Sequence, residues 1–164
     1  MSVEEYLRTS FDDADREFLD GEIVERNVGE LPHGTLQIEL GFALRSLVPK
    51  LGIKVASEIR IQTRATRFRV ADIAVWRPGH IGTRIPVVPP FLVIEILSPE
   101  DRMIRVQEKV QEYLAHGVEY VWLIDPDERQ AIVYSKQTPE GRVEEMLRTQ
   151  DPDIEIPLSS VLPG

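Results

Sequence analysis

The chain has 164 residues, 42% of them hydrophobic and 29% charged, with a formal net charge of −9 and no cysteine. That length and composition predict one globular domain over 1–164 with a real core, and exclude a disordered chain. No apolar run approaches the roughly 18–20 residues of a membrane span. The missing cysteines rule out disulfides and thiolate metal sites.

In chain order, residues 2–18 read as a short helix, with a second helix start at Ser10 and Asp12–Asp13 that leads into the segment Ala14–Leu19. Asp20-Gly21 is a tight turn, and Glu22-Ile23-Val24-Glu25-Arg26 alternates as an edge strand does. From Thr35 the residues Leu36, Leu40, Ala43, Leu44 and Leu47 recur at helical spacing, and Pro49–Gly52 marks the stop. Ile53–Ile61 reads as a strand that turns at Thr63–Thr66 into a second, Phe68–Trp76. Pro78-Gly79, Pro86 and Pro89-Pro90 mark a long surface loop before a third strand at Phe91–Leu97. Ser98-Pro99-Glu100-Asp101 has the composition of a helix start, and Met103, Val106, Val110, Tyr113 and Leu114 form its buried stripe up to Gly117. Val118–Ile124 and Gln130–Tyr134 predict a hairpin, with one more strand near Val143–Leu147. The domain thus divides into N-terminal helices and an edge strand (1–30), a core (about 33–126) and C-terminal strands with a tail (127–164). This mixed α/β order calls for a central sheet flanked by helices.

Two carboxylates stand out. Asp72 interrupts the run Phe68–Trp76, and Glu95 interrupts Phe91–Leu97. Side chains alternate along a strand, so Asp72 shares a face with Val70, Ala74 and Trp76, and Glu95 shares one with Val93 and Leu97. Neither strand has a polar side to which its carboxylate could move, so both strands read as central and covered on both faces. Neighbouring buried carboxylates repel and raise one another's pKa unless a cation lies between them. Without cysteine, and with His33, His80 and His116 at no ligand spacing, that cation is a hard one held by oxygen. Lys109 sits about 90° from the centre of its helix's apolar stripe, on a border shared with Arg102. It is placed to orient a water or stabilise developing negative charge, or else to snorkel as an ordinary flank.

The net charge opposes generic nucleic-acid binding, because phosphate affinity comes mostly from lysine and arginine. Locally the balance reverses: Arg60, Arg64, Arg67 and Arg69 fall in ten residues without an acid. They form either a solvated hairpin or a phosphate-contacting edge.

Helix–three strands–helix–strand, with aspartate on the second strand and glutamate on the third, resembles the PD-(D/E)XK nuclease superfamily. Within it, the chain most resembles the small bacterial family of putative restriction endonucleases that is abundant in cyanobacteria. The matching stretches are Phe18–Glu25, Val70–Val75, Leu92–Pro99 and Lys109–Pro126, the last with Tyr113, Gly117-Val118, Trp122 and Asp125-Pro126 at the family's spacing. The resemblance implies a restriction-endonuclease-like core and hydrolysis of phosphodiester bonds in DNA. It also implies magnesium, or manganese in its place, held by Asp72, Glu95 and the Ile96 carbonyl, with Lys109 as the catalytic lysine. Leu97 stands where the superfamily usually has its lysine, and Lys109 on the next helix takes that part. Glu39 is the candidate for an acid from the first core helix, or a solvated helix residue. His33 and Glu22 are candidates to line the cleft, and Tyr113 to reach it with its hydroxyl. A homodimer would serve a nuclease cutting both strands. The rival readings are a catalytically inactive nuclease-fold module that binds nucleic acid or protein, and a buried ion triad of Lys109 with the two carboxylates. Met1–Glu5 lacks a signal peptide's basic-then-apolar layout, so a cytoplasmic protein is expected.

Overall fold

A computed structural model describes residues 1–11, 16–79, 81–82 and 84–162. The proposed helix start at Asp12–Asp13 and the side chain of His80 lie outside these residues.

The short helix α1 (Val3–Arg8) opens with a capping box between Ser2 and Glu5. The segment up to Leu19 does not end as a second helix. Glu17–Leu19 is strand β1, paired antiparallel with β2 (Glu22–Val24) across a turn in which Asp20 and Gly21 adopt φ of 52° and 98°. Two consecutive residues at positive φ are what a tight two-residue hairpin turn requires, and Asp-Gly meets that demand. The long helix α2 (Leu31–Leu51) begins earlier than its apolar spacing suggests, with Pro32 in the first turn. It runs through Pro49 and stops at Gly52, whose φ is 68°.

Strands β3 (Lys54–Arg64) and β4 (Arg67–Trp76) form the long central hairpin. The other edge of β4 is shared. Near its start Phe68 and Arg67 pair with Phe18 and Leu19 of β1, and near its end Ile73–Val75 pair with Leu92–Ile94 of β5 (Leu92–Ile96). Residues 69–72 of β4 therefore lie in a fork between the two ladders. From β5 the chain crosses through α3 (Met103–His116) to β6 (Tyr120–Asp125), which pairs parallel with β5. Strands β7 (Gln130–Ser135) and β8 (Arg142–Val143) extend the sheet, whose order is β2-β1-β4-β5-β6-β7-β8 with β3 beside β4. The strand expected near Val143–Leu147 is instead split. Val143 ends β8, whereas β9 (Met146–Thr149) pairs with β10 (Ile154–Pro157) in a separate hairpin leading to α4 (Leu158–Val161).

The sheet has a core on each face. On one, Leu36, Leu40 and Leu44 of α2 pack on Ile73, Val75, Ile94 and Trp122, joined by residues of β9, β10 and α4. On the other, Val110, Tyr113 and Leu114 of α3 pack on Ala74, Trp76, Val93 and Leu123. Helix α3 starts at Met103, later than Ser98. The groups that would have capped it close a tight turn instead: the Ser98 amide donates to the Asp101 carboxylate at 2.7 Å, and the Asp101 amide donates to the Ser98 carbonyl at 3.0 Å. Met103, expected in the stripe, is consequently exposed. Covered on both faces, β4 and β5 are buried from Phe68 to Trp76 and from Leu92 to Ile96, polar positions included.

Candidate active site

A cleft of about 430 Å³ opens at the fork, its floor formed by Asp72, Glu95, Lys109, Glu17 and Arg69. Register explains the pairing of the two acids. The last ladder pair of β4 and β5 is Ile73 with Ile94, so Asp72 and Glu95 are the next cross-strand neighbours. There the strands part, and the Ile96 amide donates to Asp72 Oδ2 at 2.7 Å.

Asp72 is 2% exposed. Its Oδ1 accepts from Arg26 Nη2 at 2.7 Å, and His33 Nε2 lies 3.4 Å from its Oδ2. Burial works against its charge, but the His33 hydrogen bond and the charges of Arg26 and Lys109 outweigh that cost and hold its pKa below the ordinary value. The same contact with Asp72 raises the pKa of His33 against the effect of burial. Glu95 behaves in the opposite way. Burial pushes it up to about 7; Lys109 pulls it down, and the Asp72 charge pushes it further up.

Lys109 reaches the fork from α3 and satisfies all three ammonium hydrogens: Glu17 Oε1 at 2.8 Å, the Val70 carbonyl at 2.8 Å and Glu95 Oε1 at 3.1 Å. The Val70 carbonyl is available because the fork leaves that stretch of β4 without a strand partner on this edge. Burial lowers the pKa of Lys109, but Glu17 and Glu95 more than compensate and raise it, so the amine is charged at neutral pH. One turn on, the Tyr113 hydroxyl donates to Glu95 Oε1 at 3.0 Å.

The other candidates do not join the Asp72–Glu95–Lys109 group. Glu39 is exposed on α2 away from the cleft, because the helix turns Leu36 and Leu40 inward instead. Glu22 is exposed on edge strand β2, outside the cleft lining. Arg102 occupies the N-cap position of α3 at the exposed rim of the cleft, without a side-chain cap. The four arginines do not form one edge. Arg67 pairs with Asp20 and Glu112 at 2.6 and 2.9 Å, and Arg69 is buried against Glu17 and Glu112 at 3.0 and 2.6 Å. The Arg60 guanidinium lies 5.0 Å from the ring centroid of Tyr6, and Arg64 is exposed at the hairpin end. In place of Glu39 and Glu22 the fold brings in Glu17, Arg26, Gln37 and Glu58. The turn pair Asp20-Gly21 was a hairpin signal that could have placed Glu17 on a strand, although Glu17-Phe18-Leu19 itself shows no period.

Among the described residues no group of three acidic or imidazole side chains forms a ready cation cage. The donors are the two carboxylates and the neighbouring backbone. That set fits a small hard divalent ion, which is typically held by one or two carboxylates and completes its shell with water and substrate phosphate.

A mixed sheet between helices, with two acids at its fork and a lysine from the crossover helix, defines a restriction-endonuclease-like fold. The chain belongs to the Uma2 family of putative restriction endonucleases, whose model matches residues 3–164. Among solved structures it is similar to a putative nuclease belonging to DUF820 from Anabaena variabilis ATCC 29413. The two share 26% identity at a TM-score of 0.85, over 99% of this chain and 97% of that one. No curated protein matches it.

Proposed function

We propose that this chain is a divalent-metal-dependent endonuclease that hydrolyses phosphodiester bonds in DNA, using magnesium or, in its place, manganese. The observation that carries this reading is the cross-strand pair Asp72–Glu95 at the floor of a cleft, with a charged lysine against it.

In this reading Asp72 and Glu95 hold the ion, with the Ile96 carbonyl as a further ligand. The ion, when bound, supplies Lewis acidity toward a phosphoryl oxygen and a lowered pKa for water. Lys109 is an orienting and charge-stabilising group rather than a base, because its pKa is raised and its three protons are each held by an acceptor. Glu17 and Tyr113 fix Lys109 and Glu95 relative to one another. Burial pushes Glu95 up to about 7, and a cation beside it favours its charged form. The exposed Arg64 and the rim residues Arg102 and Arg105 supply positive charge for phosphates outside the floor. Among the described residues no helix is long and apolar enough to cross a membrane.

The test is cleavage of duplex, branched and single-stranded DNA and of RNA with magnesium or manganese, beside the Lys109→Ala variant. Cleavage of DNA that stops on chelation and falls on the order of 10²–10³-fold in the variant is expected. Undiminished cleavage by Lys109→Ala would remove the lysine from the mechanism. No cleavage of any form would favour a binding module.

A further inference from the structure

The group closest to Asp72 Oδ1 is the guanidinium of Arg26, two residues beyond β2 and 17% exposed. It spans two acids: Nη2 lies 2.7 Å from Asp72 Oδ1, and Nη1 lies 2.5 Å from Glu58 Oε2. The second anchor is built unusually. Glu58 falls opposite Asp72 in the β3–β4 register, between the pairs Ser57–Ile73 and Ile59–Ala71, yet its φ is 49°. A glutamate held in the left-handed region inside a strand is strained, and such strain persists only where the surroundings enforce it. Gln37 is part of those surroundings, donating to Glu58 Oε1 and to the Asp72 carbonyl at 2.9 Å each.

A divalent ion and a guanidinium cannot share one carboxylate oxygen at close range, since their repulsion in a buried site is large. Asp72 Oδ2 already accepts from the Ile96 amide at 2.7 Å and has His33 Nε2 at 3.4 Å, so an ion held by Asp72 competes with Arg26 for Oδ1. Glu58 is far more exposed than Asp72, so Arg26 can stay tethered there while its other edge turns into the cleft. A planar guanidinium turned that way matches a phosphate group.

We propose that Arg26 is a displaceable counter-cation: it neutralises Asp72 until a divalent ion binds, then moves on its Glu58 tether to a phosphate oxygen of the nucleic acid. The proposal rests on the nuclease reading of the Asp72–Glu95 site. Its consequence is reciprocal: a phosphate that draws Arg26 away frees Asp72 for the ion, and the ion frees Arg26 for the phosphate. Removing the guanidinium should therefore tighten ion binding and weaken nucleic-acid binding, a pair of opposite changes that a structural strut would not produce.

Manganese is titrated by calorimetry into the wild type and Arg26→Gln without DNA. Binding of a short labelled duplex is then followed by anisotropy, with calcium as the ion. The expected result is manganese binding about tenfold tighter in Arg26→Gln, together with duplex binding weaker than in the wild type. Equal or weaker manganese affinity in the variant, with the wild type still binding the ion, overturns the proposal and leaves the ion site standing. Unchanged duplex affinity also overturns it. If neither protein binds manganese, the nuclease reading falls and this proposal with it. Should Arg26→Gln fail to fold by thermal melt, Arg26→Met carries the same test: it removes the charge while keeping much of the side-chain length, so tighter manganese binding than in the wild type is expected and unchanged or weaker binding overturns the proposal.

Discussion

Two buried charge clusters lie side by side under α3, linked through Glu17, and they are balanced in opposite ways. At one end Glu112 accepts from Arg67 at 3.1 and 2.9 Å, from Arg69 at 2.8 and 2.6 Å, and from Thr63 at 2.6 Å. Burial raises its pKa, but the hydrogen bonds from Arg67, Arg69 and Thr63 win and hold it at about 2. At the other end Glu95 meets a single ammonium and a phenol, has Asp72 as its cross-strand neighbour, and is pushed up to about 7. Glu17 joins the two, with Arg69 on one oxygen at 3.0 Å and Lys109 on the other at 2.8 Å. The same residue types thus make a structural knot where two guanidiniums converge on one carboxylate, and a site that attracts a cation where two carboxylates meet a cleft.

The largest effect should come from the second cluster. Glu95→Gln is expected to lower metal-dependent cleavage on the order of 10³-fold while leaving the protein folded. The folded pKa of Glu95 lies above its ordinary value of 4.5, so its contribution favours folding at low pH and is lost as pH rises from about 4.5 through about 7. Thermal melts of the ion-free wild type should record that loss, and Glu95→Gln should lack it.

Next comes the knot. Glu112→Ala leaves two guanidiniums without their shared acid and should cost about 3–5 kcal/mol in denaturant unfolding. Cleavage per folded molecule should remain within about threefold of wild type. Here the sign with pH is reversed. Glu112 is held below its ordinary value of 4.5, so its stabilisation is present above about 4.5 and lost as pH falls through about 2. An acid titration of unfolding should show that limb in the wild type and not in the variant. The smallest effect belongs to the surface: Arg64→Ala, exposed at the hairpin end, should change stability by less than about 0.5 kcal/mol and weaken duplex binding at low salt by less than about threefold.

Asp72, Glu95 and Lys109 were readable from the chain because each breaks or borders an apolar pattern whose period assigns it a face. The order of elements along the chain from α2 to β6 was readable for the same reason. Glu17 was not, because three residues of β1 are too short to show a period and the segment passes for the end of a helix. Arg26 and Glu58 were hidden for another reason. They meet across 32 residues of sequence, one from a segment without regular structure and one through a left-handed residue inside a strand. Arg67 and Arg69 looked like surface charge because Glu112, their partner, lies more than forty residues away on α3. The late start of α3 turned on a hydrogen bond: Asp101 accepts from the Ser98 amide, which uses up the local cap.

The contrast between the clusters comes down to where a divalent ion goes. Manganese titrated by calorimetry into the wild type, Asp72→Asn and Glu112→Ala tests this directly. Saturable binding by the wild type and by folded Glu112→Ala is expected, with its loss in Asp72→Asn. Binding that survives Asp72→Asn at wild-type affinity, or a wild type that takes up no ion, would contradict the Asp72–Glu95 site.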